Sequence, residues 1–410
     1  MKKLLALLSV FALFLAPSAL AEGIPESEDW YSGMLSSAQM MKGSNIRLKK
    51  VLDRAKNGEN ITVAVIGGSI TEGAGAATYS ECWAMRLLDA LRKEYGCGDG
   101  SNIALVNAGV GGTASTFGWT RYERDVVSRV KDDDGLPDLV IIEYAVNDGS
   151  DPTRHGCYES MVKSILHAEN DPAVILLFSV FPSGYTLQND LSPIGMRYNL
   201  TMVSMYNSAF RYVGDKWTEK EFFFDVYHPT SLGHQVMADC IMTAIRTDYE
   251  RTTDAQDVTK DPVRSVYGTS YMNMRRVFAD SIPEDISFSA GGFNTDDPSS
   301  YSNIPVGRVC GKNFSHSTLS PQDPLTFTAS FKNLLISYRT VNSSAFGSAE
   351  VWIDGKRVMT LNANIPGAWG QSETQLVFVS SPASEHTVEI RMTEGSEQKR
   401  FTITAIAFTP

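Results

Sequence analysis

The sequence predicts two domains, an α/β domain built on a parallel sheet and an all-β sandwich domain that follows it. Up to about Tyr249, short apolar runs alternate with segments of helical periodicity. This alternation is typical of repeated βαβ units, and therefore of a parallel sheet with helices on both faces. Beyond Tyr249, short strands with turn signals follow one another without helices, which is typical of a sandwich.

The strands of the first domain are predicted from continuous apolar runs, because a strand buried on both faces of a parallel sheet has no polar face. These runs are Ile61–Ile66, Ile103–Asn107, Asp138–Tyr144, Ala173–Val180 and Glu221–Asp225. Helical periodicity predicts helices at Asn45–Lys56, Ser80–Tyr95, Arg121–Lys131, Tyr158–Ala168, Arg197–Val213 and Ser231–Tyr249. Ligands of such sheets bind beyond the carboxyl ends of the strands, so the residues after each strand are the functional candidates.

The second domain is predicted from a change of pattern. Residues 251–261 are polar and lack periodicity, so we expect a linker at 251–270 between a domain at 22–250 and a domain at 271–410. The dipeptide Asp354-Gly355 predicts a tight hairpin. The predicted strands are Leu325–Tyr338, Ala349–Ile353, Lys356–Leu361, Leu376–Val379, His386–Arg391 and Phe401–Phe408.

The first 21 residues predict export. Lys2 and Lys3 precede an apolar run from Leu4 to Leu15, and Ala19-Leu20-Ala21 is typical of a signal-peptide cleavage site. We therefore expect residues 1–21 to be a signal peptide and the product to be secreted, either extracellular or periplasmic. The apolar run is too short to span a bilayer comfortably, so we expect no stable membrane insertion after cleavage. An N-terminal membrane anchor is the alternative.

Composition argues against several classes of partner. The formal net charge is −11 and no basic stripe is present, so we do not expect a nucleic-acid partner. The five cysteines are too few for a disulfide scaffold, although one or two bridges are possible. No CxxC or HExxH spacing occurs, so neither a metal site nor a cofactor is predicted. The sequence does not determine the oligomeric state.

The residues that follow the predicted strands suit acyl transfer. The strands run into Gly67-Gly68-Ser69, Asn107–Thr113, Ala145–Asp148 and Asp225–Pro229. A serine hydroxyl becomes an effective nucleophile when an imidazole takes its proton, and a carboxylate on the other imidazole nitrogen fixes the tautomer. Glycine N–H groups and a side-chain amide can hold the oxyanion that develops. The sequence therefore predicts a serine hydrolase.

Four blocks in this order, Gly-x-Ser-Ile, a glycine loop, x-x-Asn-Asp and Asp-x-x-His, resemble the SGNH (GDSL) hydrolase superfamily over residues 60–249. The resemblance implies a three-layer, flavodoxin-like fold. It also implies that Ser69 is the nucleophile, His228 the general base and Asp225 the carboxylate that orients the base.

The same resemblance implies an oxyanion hole made of the Ser69 N–H, the Gly112 N–H and the Asn147 side-chain amide. Gly111 is the alternative to Gly112. Two positions depart from the usual family pattern, with Gly68 in place of Asp and Ala145 in place of Gly. Neither position supplies a catalytic group.

The glycine-rich form of the first block resembles bacterial carbohydrate esterases. It implies a carboxylic ester hydrolase of the carbohydrate acetylesterase type, similar to acetylxylan esterases. Such an enzyme removes O-acetyl or other small acyl groups from a polysaccharide or oligosaccharide. A lipase or lysophospholipase of the same superfamily is one alternative. A catalytically inert glycan-binding protein is the other.

Several other residues receive simpler interpretations. We expect His234 to be structural, His155 and His167 to lie at the surface, and Asp148 to make loop hydrogen bonds. The loop Phe181–Met196 follows a strand and is predicted to rim the site.

The segment Ala349–Arg391 resembles jelly-roll domains attached to polysaccharide-active enzymes. Strand alternation places Trp352 in the core, and Trp369 follows Pro366-Gly367 in a loop. Whether this domain binds sugar or only packs against the first domain stays open.

Overall fold

The structure, a computed structural model, describes residues 29–131, 135–300, 302–304 and 307–410. The predicted signal peptide, residues 1–21, lies outside the described residues. The helices are α1 (Asp29–Ala38), α2 (Ile46–Lys56), α3 (Ser69–Glu72), α4 (Trp83–Tyr95), α5 (Ser115–Asp125), α6 (Gly156–Leu166), α7 (Gln188–Arg197), α8 (Glu219–Phe222) and α9 (Ser231–Glu250).

The strands of the first domain are β1 (Gln39–Met41), β2 (Ile61–Gly67), β3 (Ile103–Gly109), β4 (Leu139–Glu143), β5 (Ala173–Phe178) and β6 (Thr201–Ser204). Those of the second are β7 (Arg275–Val277), β8 (Ser287–Ser289), β9 (Ser302–Ile304), β10 (Gly307–Val309), β11 (Phe314–His316), β12 (Leu325–Val341), β13 (Ser348–Ile353), β14 (Lys356–Asn362), β15 (Trp369–Met392) and β16 (Phe401–Thr409).

The first domain has one six-stranded sheet in the order β1-β6-β5-β4-β2-β3. Strands β2 to β6 are parallel, and β1 joins the edge antiparallel to β6. The parallel part has the strand order of flavodoxin-like folds, whose switch point lies between β2 and β4. Neighbouring residues Val65 and Ile66 enter apolar clusters on opposite faces of the sheet. The predicted three-layer α/β fold is therefore confirmed.

Two of the predicted strands and helices are wrong, and the predicted loop Phe181–Met196 contains most of α7. The fifth parallel strand is Thr201–Ser204, inside the predicted helix Arg197–Val213, and the predicted strand Glu221–Asp225 instead contains the end of α8. Met202 and Val203 are buried in clusters on opposite faces of the sheet, which a helix could not achieve for adjacent residues.

The sequence did contain a signal for α8. Thr218 Oγ1 accepts the Glu221 N–H, and the Glu221 side chain accepts the Thr218 N–H. This capping box starts a helix and competes with extended structure.

The second domain has one large antiparallel sheet in the order β11-β16-β12-β15-β13-β14, to which β7 and β8 are added at β16 and β12. The predicted hairpin joins β13 to β14 through Asp354 and Gly355, with φ values of +52° and +75°. Two positive φ values in succession are typical of a type I′ turn. The all-β domain is confirmed, and its jelly-roll topology stays a prediction.

Trp352 does not lie in the core as predicted. It is half-buried on the opposite side of β13 from Val351 and Ile353, and the Arg391 guanidinium lies 4.2 Å from its ring centroid. Buried and exposed residues do alternate along β13, as predicted. The smaller residues Val351 and Ile353 face the core, however, and Trp352 does not.

Helix α5 lies between the two domains. Leu335 and Ala407 of the β domain share an apolar cluster with Trp119 of α5, and a second cluster joins Phe117 to Phe278. These shared clusters make α5 part of the interior of both domains. The position of α5 is therefore set by the β domain as well as by the parallel sheet.

The segment predicted as a linker makes several contacts with the first domain. Arg47 bonds to Asp257 at 2.7 Å, and Glu159 accepts N–H groups from Val266, Tyr267 and Gly268. The domain limits 22–250, 251–270 and 271–410 stay predictions.

All five cysteines are free, and four of them are buried. No helix within the described ranges is both long and apolar enough to cross a membrane.

Candidate active site

Ser69 begins α3 directly after β2, at the carboxyl edge of the parallel sheet. The turn is built by Gly67 and Gly68, where β2 ends beside Glu143 of β4. Ser69 Oγ lies 2.9 Å from His228 Nε2. The serine hydroxyl therefore meets an imidazole nitrogen at hydrogen-bond distance.

His228 lies in a short loop between α8 and α9, rather than at the end of a parallel strand as predicted. The loop is closed by a hydrogen bond of 2.8 Å from the Phe224 N–H to the His228 carbonyl. Asp225 Oδ1 accepts the N–H groups of Tyr227 at 2.7 Å and His228 at 2.9 Å. These bonds fix the carboxylate within the loop that carries the imidazole.

Asp225 also contacts the imidazole directly, with 2.8 Å between its Oδ2 and His228 Nδ1. Partial burial raises the pKa of Asp225, but the hydrogen bonds from the His228 side chain and from backbone N–H groups outweigh burial and lower it below its ordinary value. An ionised Asp225 favours the tautomer with a proton on Nδ1, which leaves Nε2 free to accept from Ser69.

The two adjacent glycines of the second block differ in what their N–H groups contact. Gly111 is buried, and its N–H donates to Glu72 Oε2 at 2.8 Å. Gly112 is exposed and has a positive φ of +67°. Its N–H has no acceptor among the described residues. This difference supports Gly112 over Gly111 as the oxyanion donor.

Asn147 follows β4 and packs its side chain on the backbone of Gly68. A Cβ at position 68 would lie 2.2 Å from Asn147 Oδ1 and 2.8 Å from Nδ2. The departure from the usual Asp therefore has a steric reason in this chain, since only glycine lets the amide approach the nucleophile turn so closely.

Glu143, the last residue of β4, lies buried beneath the same turn. Its Oε2 accepts a hydrogen bond of 3.0 Å from Thr71 Oγ1. Burial raises the pKa of Glu143 to about 7, although hydrogen bonds to the carboxyl oppose this shift. The nucleophile turn therefore rests on a carboxyl group that changes charge near neutral pH.

His234 is structural, as predicted. Its Nδ1 accepts the Trp83 N–H at 3.3 Å and its Nε2 donates to the Ala74 carbonyl at 3.0 Å. Burial lowers the pKa of His234 to about 4, so the ring is neutral at ordinary pH.

Asp148 makes the predicted loop hydrogen bond. Its Oδ1 accepts the Ser115 N–H at 2.7 Å, at the beginning of α5. This bond connects the Asn147 turn with the helix that follows the Gly112 loop.

The β domain supplies one wall of a cleft beside this site. Trp369 is 66% exposed at the start of β15. A Cβ on Gly111 would lie 3.3 Å from Trp369 Cη2 and 3.5 Å from Ser69 Cβ, so the indole and the serine flank the same glycine. A cavity of about 280 Å³ beside them is lined by residues of both domains, namely Glu72, Val110, Gly111, Ser299, Ser300, Arg339, Trp369, Gly370, Gln371 and Ser372.

Aromatic residues lie on the His228 side of the site. Tyr227 is 54% exposed, and its ring centroid is 5.3 Å from that of Phe181. Phe181 in turn stacks on Tyr185. Phe181 and Tyr185 belong to the segment predicted to rim the site.

Residues 65–236 match the sequence model of the GDSL-like Lipase/Acylhydrolase family. This match covers most of the α/β domain. The resemblance to SGNH (GDSL) hydrolases is confirmed, and the match supports a carboxylic ester hydrolase. No curated protein sequence matches the chain significantly.

Solved structures extend the similarity of this GDSL-like chain to both domains. It is 27% identical to a two-domain esterase (CEX) active on acetylated mannans, with a TM-score of 0.77 over 92% of this chain and 98% of that one. For the same esterase co-crystallised with mannopentaose, identity is 26%, the TM-score 0.75 and coverage 92% and 97%.

Axe2, an acetylxylan esterase from Geobacillus stearothermophilus, is 21% identical, with a TM-score of 0.34 over 46% of this chain and 96% of that one. A similarity at this level supports no conclusion about this chain.

Sequence reasoning missed the contributions of Glu72, Glu143 and Trp369 to this site. Glu143 was hidden in an apolar run, where a lone carboxylate gives no periodic signal. Trp369 was recognised as a loop residue after Pro366-Gly367, but nothing in the sequence places that loop against the first domain.

Proposed function

We propose that this chain is a serine esterase that removes O-acetyl groups from a polysaccharide. The observation that carries the proposal is the unbroken hydrogen-bond series from Ser69 Oγ through the His228 imidazole to the Asp225 carboxylate. Such a series is the arrangement by which serine hydrolases activate their nucleophile.

In the proposed reaction, His228 Nε2 takes the Ser69 proton as Oγ attacks the ester carbonyl. The resulting oxyanion accepts hydrogen bonds from the N–H groups of Ser69 and Gly112 and from the Asn147 amide. The tetrahedral intermediate collapses as the C–O bond to the sugar breaks, and His228 returns its proton to the departing sugar oxygen. Water, deprotonated by His228, then attacks the acyl-enzyme and releases acetate and free Ser69.

The surroundings of Ser69 support a carbohydrate substrate over a long acyl chain. The cavity beside Ser69 has polar residues on most of its wall, among them Ser299, Arg339 and Gln371. Exposed Trp369 offers a flat apolar face of the kind on which sugar rings stack. A lipase would need an extended apolar channel instead, so we place the lipase or lysophospholipase alternative second.

The similarity to the mannan esterase supports acetylated mannan as the first polymer to test. Acetylated xylan, the polymer suggested by the sequence, comes second. That similarity spans both domains, which supports a role for the β domain in the substrate cleft. We further propose that residues 1–21 direct secretion and that the enzyme meets its polymer outside the cytoplasm.

The test is acetate release by the purified two-domain chain from acetylated mannan, xylan, pectin and peptidoglycan. We expect release from mannan or xylan, no release by Ser69→Ala, and full release by Ser101→Ala, a control serine in an exposed turn. p-Nitrophenyl esters of two to twelve carbons give the acyl preference in parallel.

Preference for esters of eight or more carbons would favour the lipase alternative. Retention of a glycan without hydrolysis of any ester would favour the inert glycan-binding protein. Full activity of Ser69→Ala would refute the nucleophile assignment.

A further inference from the structure

A second group of polar residues lies directly after Asn147, away from the triad. Asp148, Asp151 and His155 each place one potential ligand atom within 4.8 Å of the other two. Asp148 is 2% exposed, and the side chains of Asp151 and His155 are 0% and 16% exposed, so His155 does not lie at the surface as expected. The group lies between the end of β4 and the start of α6.

Asp151 accepts hydrogen bonds from the Thr153 N–H and hydroxyl and from the His155 N–H, but the group has little cationic charge to balance it. No lysine or arginine forms an ion pair with either carboxylate within the ranges that the structure describes, and the nearest basic atom is His155 Nδ1, 3.9 Å from Asp151 Oδ2. Buried carboxylates so close together are usually paired with a cation.

Two buried atoms of the group are also without hydrogen bonds. Considering all described residues, neither Asp148 Oδ2 nor His155 Nδ1 has a partner. The other oxygen of Asp148 is already used by the Ser115 N–H. Because buried polar atoms are almost always paired, an oxygen and an imidazole nitrogen in one group point to a ligand that binds both.

We propose that Asp148, Asp151 and His155 bind one Zn²⁺ ion. Zinc accepts carboxylate oxygen and imidazole nitrogen together, whereas Ca²⁺ prefers oxygen alone. Ligand atoms of a tetrahedral zinc site lie about 3.3 Å apart for bonds of about 2.0–2.1 Å, so binding draws His155 and Asp151 slightly together. Water completes the coordination.

The role of this zinc is to hold two loops of the active site. Asp148 directly follows Asn147. Its Oδ1 accepts the Ser115 N–H at the start of α5, the helix after the Gly112 loop. A cation on Asp148 therefore fixes the two loops that carry the proposed oxyanion donors. It contacts no reacting atom, so it positions rather than catalyses.

The experiment titrates the full EDTA-treated chain with Zn²⁺ by calorimetry, with elemental analysis and the thermal unfolding midpoint as further readouts. We expect one ion per chain and a higher midpoint. His155→Asn should weaken binding by more than about 100-fold, because losing even an outer partner of a ligand costs about 10- to 100-fold. Asparagine tolerates the left-handed backbone at this position, where φ is +66°.

His167→Asn, a change of an exposed histidine at the end of α6, is the matched control and should bind zinc like the unchanged chain. The proposal is overturned if the unchanged chain binds no zinc. It is also overturned if His155→Asn binds zinc equally well, or if Ca²⁺ raises the midpoint and Zn²⁺ does not. None of these results depends on whether the chain is an esterase.

Discussion

Trp369 of the β domain lies against Gly112 of the α/β domain so closely that a Cβ on the glycine would be 2.8 Å from Trp369 Cζ2. Gly112 is the glycine proposed to bind the oxyanion, and Trp369 is an exposed aromatic at the mouth of the cleft. The two domains therefore meet at the proposed reaction centre. We therefore expect the chemistry of one domain to depend on a side chain of the other.

Gly112→Ala should lower kcat for p-nitrophenyl acetate by about 100- to 1,000-fold, the usual effect of losing one oxyanion donor. The added methyl collides with Trp369 and disfavours the positive φ, and both effects move the N–H. The double variant with Trp369→Ala removes the collision and should recover part of the loss.

Gly98→Ala is the control for that experiment, because it has a similar φ of +63° with nothing within 4 Å of the added methyl. It should lose about 1 kcal/mol of stability and no activity. If Gly112→Ala keeps more than half of kcat, the oxyanion assignment is wrong.

Trp369→Ala should raise KM for acetylated oligosaccharides by about 3- to 10-fold, since aromatic stacking contributes roughly 0.5–1.5 kcal/mol. Hydrolysis of p-nitrophenyl acetate should change less, because this small ester has no sugar ring to stack on the indole. Trp352→Ala, in the same domain, controls for general damage to the β domain. An equal loss on both substrates would mean that Trp369 shapes the site rather than binding sugar.

Asp225→Asn should lower kcat by about 1,000- to 10,000-fold without unfolding the loop. The asparagine carbonyl can still accept the Tyr227 and His228 N–H groups, but its NH₂ then faces His228 Nδ1 and favours the wrong tautomer. Asp215→Asn, at a carboxylate that is 72% exposed, is the surface control. Loss of less than tenfold in kcat, with an unchanged circular dichroism spectrum, would show that Asp225 does not orient the base.

Much of this site follows from sequence because its parts come from local chain segments. Ser69 and Asn147 follow strands that are almost entirely apolar, so the parallel sheet and its carboxyl edge could be predicted from pattern alone. Gly112 and Gly111 could not be separated by spacing, because the choice depends on the long-range bond from Gly111 to Glu72.

The failures have a physical cause as well. The four-residue strand Thr201–Ser204 is too short to show a period, and a helix pattern across it was accidental. The closeness of Trp369 to Gly112 depends on how α5 packs between two sheets. Packing between domains leaves no periodic trace in either segment, so the cleft could not be predicted from the sequence.

Glu143→Gln should change the pH dependence of stability. The carboxyl has an ordinary pKa of 4.5 in the unfolded chain and about 7 in the fold. The fold therefore prefers the protonated form, and the contribution of Glu143 to stability is greatest below pH 4.5. It falls as the pH rises through 7, by about 3 kcal/mol in total, because each pKa unit corresponds to about 1.4 kcal/mol.

Glutamine keeps a polar side chain beside Thr71 but does not ionise, so the variant should lack this loss. Relative to the unchanged chain, its free energy of unfolding in urea should rise between pH 5 and pH 8 by up to about 3 kcal/mol. Glu394→Gln, at an exposed position, should show no such change. If the difference between Glu143→Gln and the unchanged chain is the same at both pH values, Glu143 does not titrate in this range. The nucleophile turn would then rest on a carboxyl group of constant charge.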